Sequence, residues 1–364
     1  YGTPYQMGFA YGELMKNEIR SLFPKMETWI MNEINSAIGE LPAPVRNWID
    51  TYGIPAALNF TLYATGPHIP EHYWQLAYGL GNSTGLGWHK IMTTSLFPEL
   101  IKAHCSMMGA WGEATAGIPG AGLVQLRALD WSTNGPFQEY PLLVTYHPEE
   151  GEGYTHTVLG WAGMMGAITG MGSNGMGVSE KVWLHYKGTQ NVFGYPFPFL
   201  MQDLMWKCMD TDQALSKIAS ANRTCSIFIG IGDAKNNQFR ALEYSHQTVN
   251  IYNDVNFPAY PPYHPLLKDL VFIDKHTQPS HHMCFGSLME KLYGKLSPQN
   301  VISYVTALQQ TGDTHAAVYD FGTSTMYVSN ASPFVNGSAT PAYNMPWSSL
   351  NMTQQWTLPP PTAM

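Results

Sequence analysis

The chain has 364 residues, 45% of them hydrophobic, 13% aromatic and only 12% charged, with a net charge of −8. That length buries a large core, and an acidic balance without a basic stripe argues against nucleic acid as a partner. No apolar run approaches the roughly 20 residues that span a bilayer, so no transmembrane segment is expected.

From Tyr1 to about His104 the pattern is helical. Met15 to Ile34 is a long amphipathic segment in which Leu22, Met26, Ile30 and Ile34 fall on one face at four-residue spacing. Pro42 and Pro44 end it, and Val45–Tyr52 and Trp88–Ala103 are further helical pieces. Residues 1–104 lack strand-like alternation and are expected to form a helical pre-region, propeptide-like or α-subunit-like. The character changes at Cys105. Cys105 to Trp111 reads as a strand, and Gly122 to Trp131 as its hairpin partner across an elaborated loop. Leu142–Tyr146, Thr155–Trp161, Ala167–Met171 and Gly175–Trp183 are short strand candidates. Pro196–Met209 and Thr211–Ala221 read as helices, the second capped by Asp210 or Thr211. Ser226–Gly232 and Gln238–Tyr244 form a hairpin around Asp233-Ala-Lys-Asn-Asn, with Gln247–Tyr252 as a further strand. Phe285–Tyr293 and Pro298–Leu308 are helices, Ser297 capping the latter, and Ala316–Phe321 with Thr323–Ser329 form a last hairpin. The Pro-, Ser- and Asn-rich tail reads as wrapped or loose. This order predicts an α+β fold: antiparallel sheets with helices on both outer faces, a four-layer sandwich over 105–364.

The chain begins with Tyr1 and reads as a processed form whose leader has gone. Asn-X-Ser/Thr sequons stand at Asn59, Asn82, Asn222, Asn330, Asn336 and Asn351, which predicts glycosylation and a secreted or lysosomal (vacuolar) address. Four cysteines are too few for a disulfide scaffold. Cys208, Cys225 and Cys284 read as buried packing, with at most one disulfide among them.

The chemistry concentrates at Cys105, Arg127 and Asp130: a thiol, a guanidinium and a carboxylate brought toward one another by one hairpin. A thiolate attacks carbonyls well, but a free thiol is only partly ionised at neutral pH. Cleavage between His104 and Cys105 would give the thiol its own α-amine, pKa near 8, as a base within reach. The bland alternatives are a buried structural cysteine and a strand-end ion pair. His281 and His282 are adjacent on an extended chain and point apart, so no metal site is expected. The methionines and aromatics are core by default; Met164 and Met165 beside glycines, with Trp183, are the candidates for lining an acyl-chain pocket.

Cys105 followed by a hairpin ending in Arg127-Ala-Leu-Asp130-Trp resembles the N-terminal nucleophile hydrolases of the acid ceramidase, acylethanolamine amidase, bile-salt hydrolase and penicillin acyltransferase group. Tyr1-Gly-Thr-Pro-Tyr-Gln-Met-Gly-Phe-Ala-Tyr-Gly is similar to the start of the acyltransferase-type members. Gly170-Met-Gly-Ser-Asn174-Gly-Met-Gly-Val looks like their Gly-x-Asn-x-x-Gly strand entry, and Ser226 to Glu243 like their hairpin ending in Glu. The resemblance implies an αββα fold, autocatalytic cleavage before Cys105 and hydrolysis, or acyl transfer, of a linear amide such as an N-acyl lipid, with no cofactor. It further implies that Cys105 is nucleophile and, through its amine, base. Arg127 and Asp130 would position it, Asn174 or Asn256 would help build the oxyanion hole, and the cleaved halves would stay associated. Where the family often carries a second Arg, this chain has Pro279-Ser-His281-His282. A phospholipase B-like esterase and a non-catalytic secreted glycoprotein are the competing readings.

Overall fold

Glycines at helix-facing positions decide how the first hundred residues pack. A computed structural model of the chain describes residues 1–120, 122–333 and 338–360. Six α-helices, Pro4–Leu14, Lys16–Ser36, Ala43–Tyr52, Ala56–Thr65, Glu71–Thr84 and Trp88–Ser95, precede the first long strand. The first opens on a reciprocal cap, Thr3 Oγ1 accepting from Gln6 N at 3.3 Å and Gln6 Oε1 from Thr3 N at 2.8 Å. A Cβ at Gly8 would stand 2.1 Å from Leu76 O, and one at Gly79 2.1 Å from Tyr5 O, so the first and fifth helices touch backbone to backbone. In Lys16–Ser36 the predicted face holds: Leu22, Met26, Ile30 and Ile34 are fully buried. The segment expected as one helix to Ala103 stops at Ser95, because Pro98 supplies no N–H and a 3₁₀ turn at Phe97–Glu99 follows. Helices 56–65 and 71–84 were not anticipated; Gly79 and Gly81 lower the propensity of the second, and its packing overrides that.

Among the described residues thirteen strands follow: β1 (His104–Ala110), β2 (Val124–Asp130), β3 (Pro141–Tyr146), β4 (His156–Trp161), β5 (Thr169–Gly172), β6 (Met176–Val182), β7 (Ser226–Asp233), β8 (Gln238–Ser245), β9 (Val249–Tyr252), β10 (Leu270–Ile273), β11 (His315–Asp320), β12 (Thr325–Asn330) and β13 (Ser348–Asn351). One sheet has the order β10-β1-β2-β11-β12-β13, the other runs β3 to β9 in sequence order, and every pair is antiparallel. The short strand β10 and the tail strand β13 have too little alternation to be read from sequence; each is defined by the neighbour it pairs with.

Alternation sorts the side chains into layers. Met108, Leu126, Ala128 and Val318 leave the first sheet outward and meet Phe285, Met289, Val301 and Val305 on the helical stretch 283–309. Met107, Ala317 and Tyr319 face Phe228, Phe239 and Ala241 of the second sheet. Val178, Ile227, Ile229 and Ile231 pack outward against Leu200 and Leu204 of helix Phe197–Trp206 and Ile218 of helix Thr211–Ser220. That is the four-layer αββα sandwich expected. The N-terminal helices join this last layer in one continuous buried cluster.

A buried carboxylate couples the two regions. Asp203 (1% exposed) takes His72 Nε2 at 2.8 Å, Tyr73 Oη at 3.1 Å, Tyr195 Oη at 2.8 Å and Lys217 Nζ at 2.9 Å. Burial pushes its carboxyl up, but the bonds and charges of His72 and Lys217 outweigh that and hold it at about 2, below the ordinary 3.8. A carboxyl depressed on folding stabilises above its unfolded pKa and loses that contribution as pH falls from about 3.8 to about 2. Wild type is therefore expected to lose about 2 kcal/mol more than Asp203→Asn between pH 5 and pH 2. Urea unfolding at both pH values checks this, and equal losses would refute it.

Candidate active site

The hairpin register places Cys105 opposite Leu129 and Met107 opposite Arg127. Cys105, Arg127 and Leu129 therefore share the face of the first sheet that looks toward the second. Asp130 lies three residues beyond Arg127, an odd step on a strand, and leaves by the opposite face. The Arg-x-x-Asp spacing divides the two charges across the sheet instead of gathering them, and the sequence expectation is corrected on this point.

The thiol of Cys105 is fully buried. Arg127 Nη2 donates to Sγ at 3.5 Å and to Glu180 Oε2 of β6 at 3.2 Å, and that oxygen lies 3.8 Å from Sγ. Burial pushes the Cys105 thiol up to about 12, Arg127 pulling it down and Glu180 pushing it further up. Burial likewise raises Glu180, opposed by Arg127. The guanidinium is itself held: Nη1 stands 3.1 Å from His315 Nε2, which also lies 2.9 Å from Thr169 Oγ1. Burial and Arg127 drive the His315 pKa far below its ordinary value, so the imidazole is neutral and its Nε2 lone pair accepts. Glu180 and His315 were missed in the sequence. The signal for Glu180 was a Glu-Lys pair inside an otherwise apolar strand run, Met176 to Val182, which solvent-facing alternation does not explain.

On the other face, Asp130 Oδ1 accepts from Gly312 N at 2.9 Å, and Oδ2 lies 2.5 Å from Thr311 Oγ1, which is 2.7 Å from Ser106 Oγ. Lys275 Nζ stands 3.6 Å away. Burial raises the Asp130 carboxyl to about 6 against the pull of Lys275 and Thr311. His104, exposed, is its partner in the ladder, with Nδ1 3.3 Å from Lys275 O. The His104–Cys105 bond thus lies at a sheet end, with the buried thiol on one face and Asp130 on the other.

An apolar pocket lined by Phe97, Ile101, Leu129, Trp131, Trp161 and Val182 includes Glu180 as its one ionisable residue. The segment before Cys105 forms part of its wall and is tied down by Glu99, which accepts from Phe197 N at 2.7 Å and Thr224 Oγ1 at 3.1 Å; burial lifts that carboxyl to about 7.

Other sequence candidates lie elsewhere. Asn174 donates both amide protons, to Met205 O at 3.1 Å and Cys208 O at 2.6 Å, and accepts from Met176 N. It clamps a turn to a helix end and has no donor left for an oxyanion. Asn256 is exposed and bonded within its own loop to Asn253 N and Ile251 O. Met165 is buried, its N–H on Ser95 Oγ, and Met164 packs on the same cluster, whereas Trp183 meets Phe228 and Tyr186 with tilted rings between the sheets. The three do not line one pocket. Among the sequons, Asn59, Asn82, Asn222 and Asn351 are exposed, Asn330 is half-buried and Asn336 lies outside the described residues. All four cysteines are free; Cys208 is buried, Cys225 half-buried, and Cys284 exposed, not packed as expected. His282 stacks on His276 and His281 meets Tyr263. Among the described residues no group of three or more His, Cys, Asp or Glu is arranged for a metal ion, and no helix is long and apolar enough to cross a membrane.

No family model matches the chain. It is similar to protein dcd1B of Dictyostelium discoideum, 37% identical over 382 residues covering 99% of this chain and 75% of that protein. It is similar also to dcd1A of the same organism, 38% identical over 344 residues covering 90% and 77%. Among solved structures it is similar to the Caenorhabditis elegans ortholog of N-acylethanolamine-hydrolyzing acid amidase (TM-score 0.45, 14% identity, 60% of this chain and 93% of that one). Penicillin V acylase from Agrobacterium tumefaciens is comparable, at TM-score 0.44 and 11% identity over 69% and 87%. Likeness at this level does not carry a reaction; the site must.

Proposed function

We propose that this chain, which belongs to the family of the Dictyostelium discoideum proteins dcd1A and dcd1B, is a cysteine amidase cleaving a linear N-acyl amide. The observation that supports this is the setting of Cys105. A thiol one residue inside a strand, in contact with a buried Arg127–Glu180 pair, lies beside a pocket whose lining is otherwise uncharged.

In this reading the thiol acts twice. In maturation Sγ adds to the His104 carbonyl carbon, and Glu180 Oε2, 3.8 Å from Sγ, takes the thiol proton. The C–N bond breaks, the proton passes to the departing nitrogen, and water hydrolyses the thioester to a His104 carboxylate and a free Cys105 amine. In turnover that amine takes the thiol proton and returns it to the leaving amine of the substrate, and a second water releases the acid. The pocket matches an acyl chain in the polarity of its lining, but at about 30 Å³ it would have to widen to admit one. Export with glycosylation at the exposed sequons belongs to the same proposal, as does continued association of the halves 1–104 and 105–364.

Intact mass and N-terminal sequencing of the protein recovered from expressing cells, with glycosidase treatment, test it. A fragment beginning at Cys105, together with hydrolysis of a fatty amide in preference to a phospholipid ester, is expected. A full-length chain that hydrolyses neither, and that a thiol-directed acyl probe does not label, would favour the non-catalytic reading.

A further inference from the structure

Lys181 follows Glu180 on β6 and is 1% exposed. A buried ammonium normally has its N–H groups satisfied or a counter-ion in contact. Among the described residues Lys181 Nζ has one hydrogen-bond acceptor, Lys275 O at 3.3 Å, and no salt bridge. A lysine carries three donors, and no other protein acceptor among the described residues takes the remaining two. The same carbonyl oxygen lies 3.3 Å from His104 Nδ1, which brings the ammonium and the residue preceding Cys105 to a common atom. The titratable groups whose charge acts on Lys181 are Cys105 of β1, Asp274 just after β10, its strand neighbour Glu180 and Asp130 of β2. Asn174 and Asn256, the candidates for an oxyanion donor, have their amides engaged elsewhere.

We infer that Lys181 is the oxyanion donor of this site, its ammonium bonding the oxygen that becomes negative when Cys105 Sγ adds to a carbonyl. The inference rests on the reading of Cys105 as the nucleophile. As the S–C bond forms, the carbonyl π pair moves onto oxygen beside Nζ. The pair returns as the C–N bond breaks, the nitrogen leaving with the proton that came from the thiol, and Lys181 keeps its three protons throughout. Preformed positive charge in a dry site needs no reorganisation as the oxyanion appears. Burial lowers the Lys181 pKa against the pull of Cys105, Asp274, Glu180 and Asp130. A donor that must stay protonated sets a falling limb of activity as pH rises through that lowered pKa.

The test compares wild type, Lys181→Met, Lys181→Arg and Cys105→Ala as full chains. It reads the rate of cleavage before Cys105 by intact mass, and kcat and KM on a chromogenic N-acyl amide across pH. Lys181 has no salt-bridge partner among the described residues for Lys181→Met to strand, and Lys181→Gln carries the same test if the methionine variant does not fold. Lys181→Met is expected to slow both reactions about 100-fold or more with little change in KM. Its basic limb should vanish, and Lys181→Arg should restore part of the rate with the limb moved up. Wild-type rates in Lys181→Met, or a rate loss that leaves the limb in place, would overturn the role of Lys181 alone. A wild-type chain as uncut and inert as Cys105→Ala would overturn the nucleophile reading and this inference together.

Discussion

Cys105→Ala is expected to stay at full length and to lose amide hydrolysis by on the order of 10⁴-fold or more, because the acyl intermediate forms on its sulfur. Arg127 and Glu180 are already paired with each other at 3.2 Å and do not depend on the thiol for charge balance. Removing one sulfur from a buried position leaves a small void, costing about 1 kcal/mol, so the variant should unfold close to wild type. Cys105→Ser keeps the shape and supplies a weaker nucleophile, and slow cleavage before residue 105 is expected from it. Intact mass over time, a steady-state amide assay and urea unfolding read the three effects separately. Wild-type turnover by a full-length Cys105→Ala chain would exclude this thiol from the chemistry.

Arg127→Met is expected to be the most destabilising single change at the site. The guanidinium is fully buried and is the only charged hydrogen-bond donor to Glu180 among the described residues. Its removal leaves a carboxylate in an apolar setting with one oxygen, Oε1, already unpartnered. Breaking a buried pair in this way costs about 3–5 kcal/mol at neutral pH. The sign of the pH dependence follows from Glu180, whose carboxyl burial already raises. Without Arg127 it rises further, so the folded chain holds a neutral acid at low pH. A group raised on folding contributes stability that is present below its unfolded pKa and lost as pH climbs through the folded value. The variant should therefore sit closer to wild type at pH 4 than at pH 8. Arg127→Met with Glu180→Met removes both charges and should recover most of the stability while remaining inactive. If Arg127→Met alone unfolds like wild type at pH 8, the buried pair is not what balances Glu180.

Much of this architecture was legible before any coordinates. Four-residue spacing in Lys16–Ser36, the apolar runs of β1 and β2 and the turn residues between β7 and β8 are local patterns, and a local pattern survives because each such element must take its apolar side chains out of water. The Cys105 strand and its Arg127 partner belong to the same class of information. Where local pattern was weak, tertiary partners decided. β10 and β13 are strands because β1 and β12 supply their ladders, and helix 71–84 keeps its glycines because the first helix approaches through them.

The site divides in the same way. A thiol at a strand start, with a cation two registers away on the same face, follows from residue type and period alone. The carboxylate paired with that cation does not. Sequence offered Asp130, three residues on, but a period of two sends it to the opposite face, where Thr311, Gly312 and Lys275 hold it. Glu180, His315 and Lys181 come from strands 53 to 188 residues distant from their partners. His315 reaches Arg127 because β11 pairs with β2 in the first sheet, whereas Glu180 and Lys181 arrive on β6 of the second sheet, which stacks on the first. By itself the sequence determined the layers, the hairpin and the nucleophile candidate. The tertiary structure decided which charges share the thiol's low-dielectric space. Electrostatics there depends on separation through the fold, and separation along the chain does not encode it.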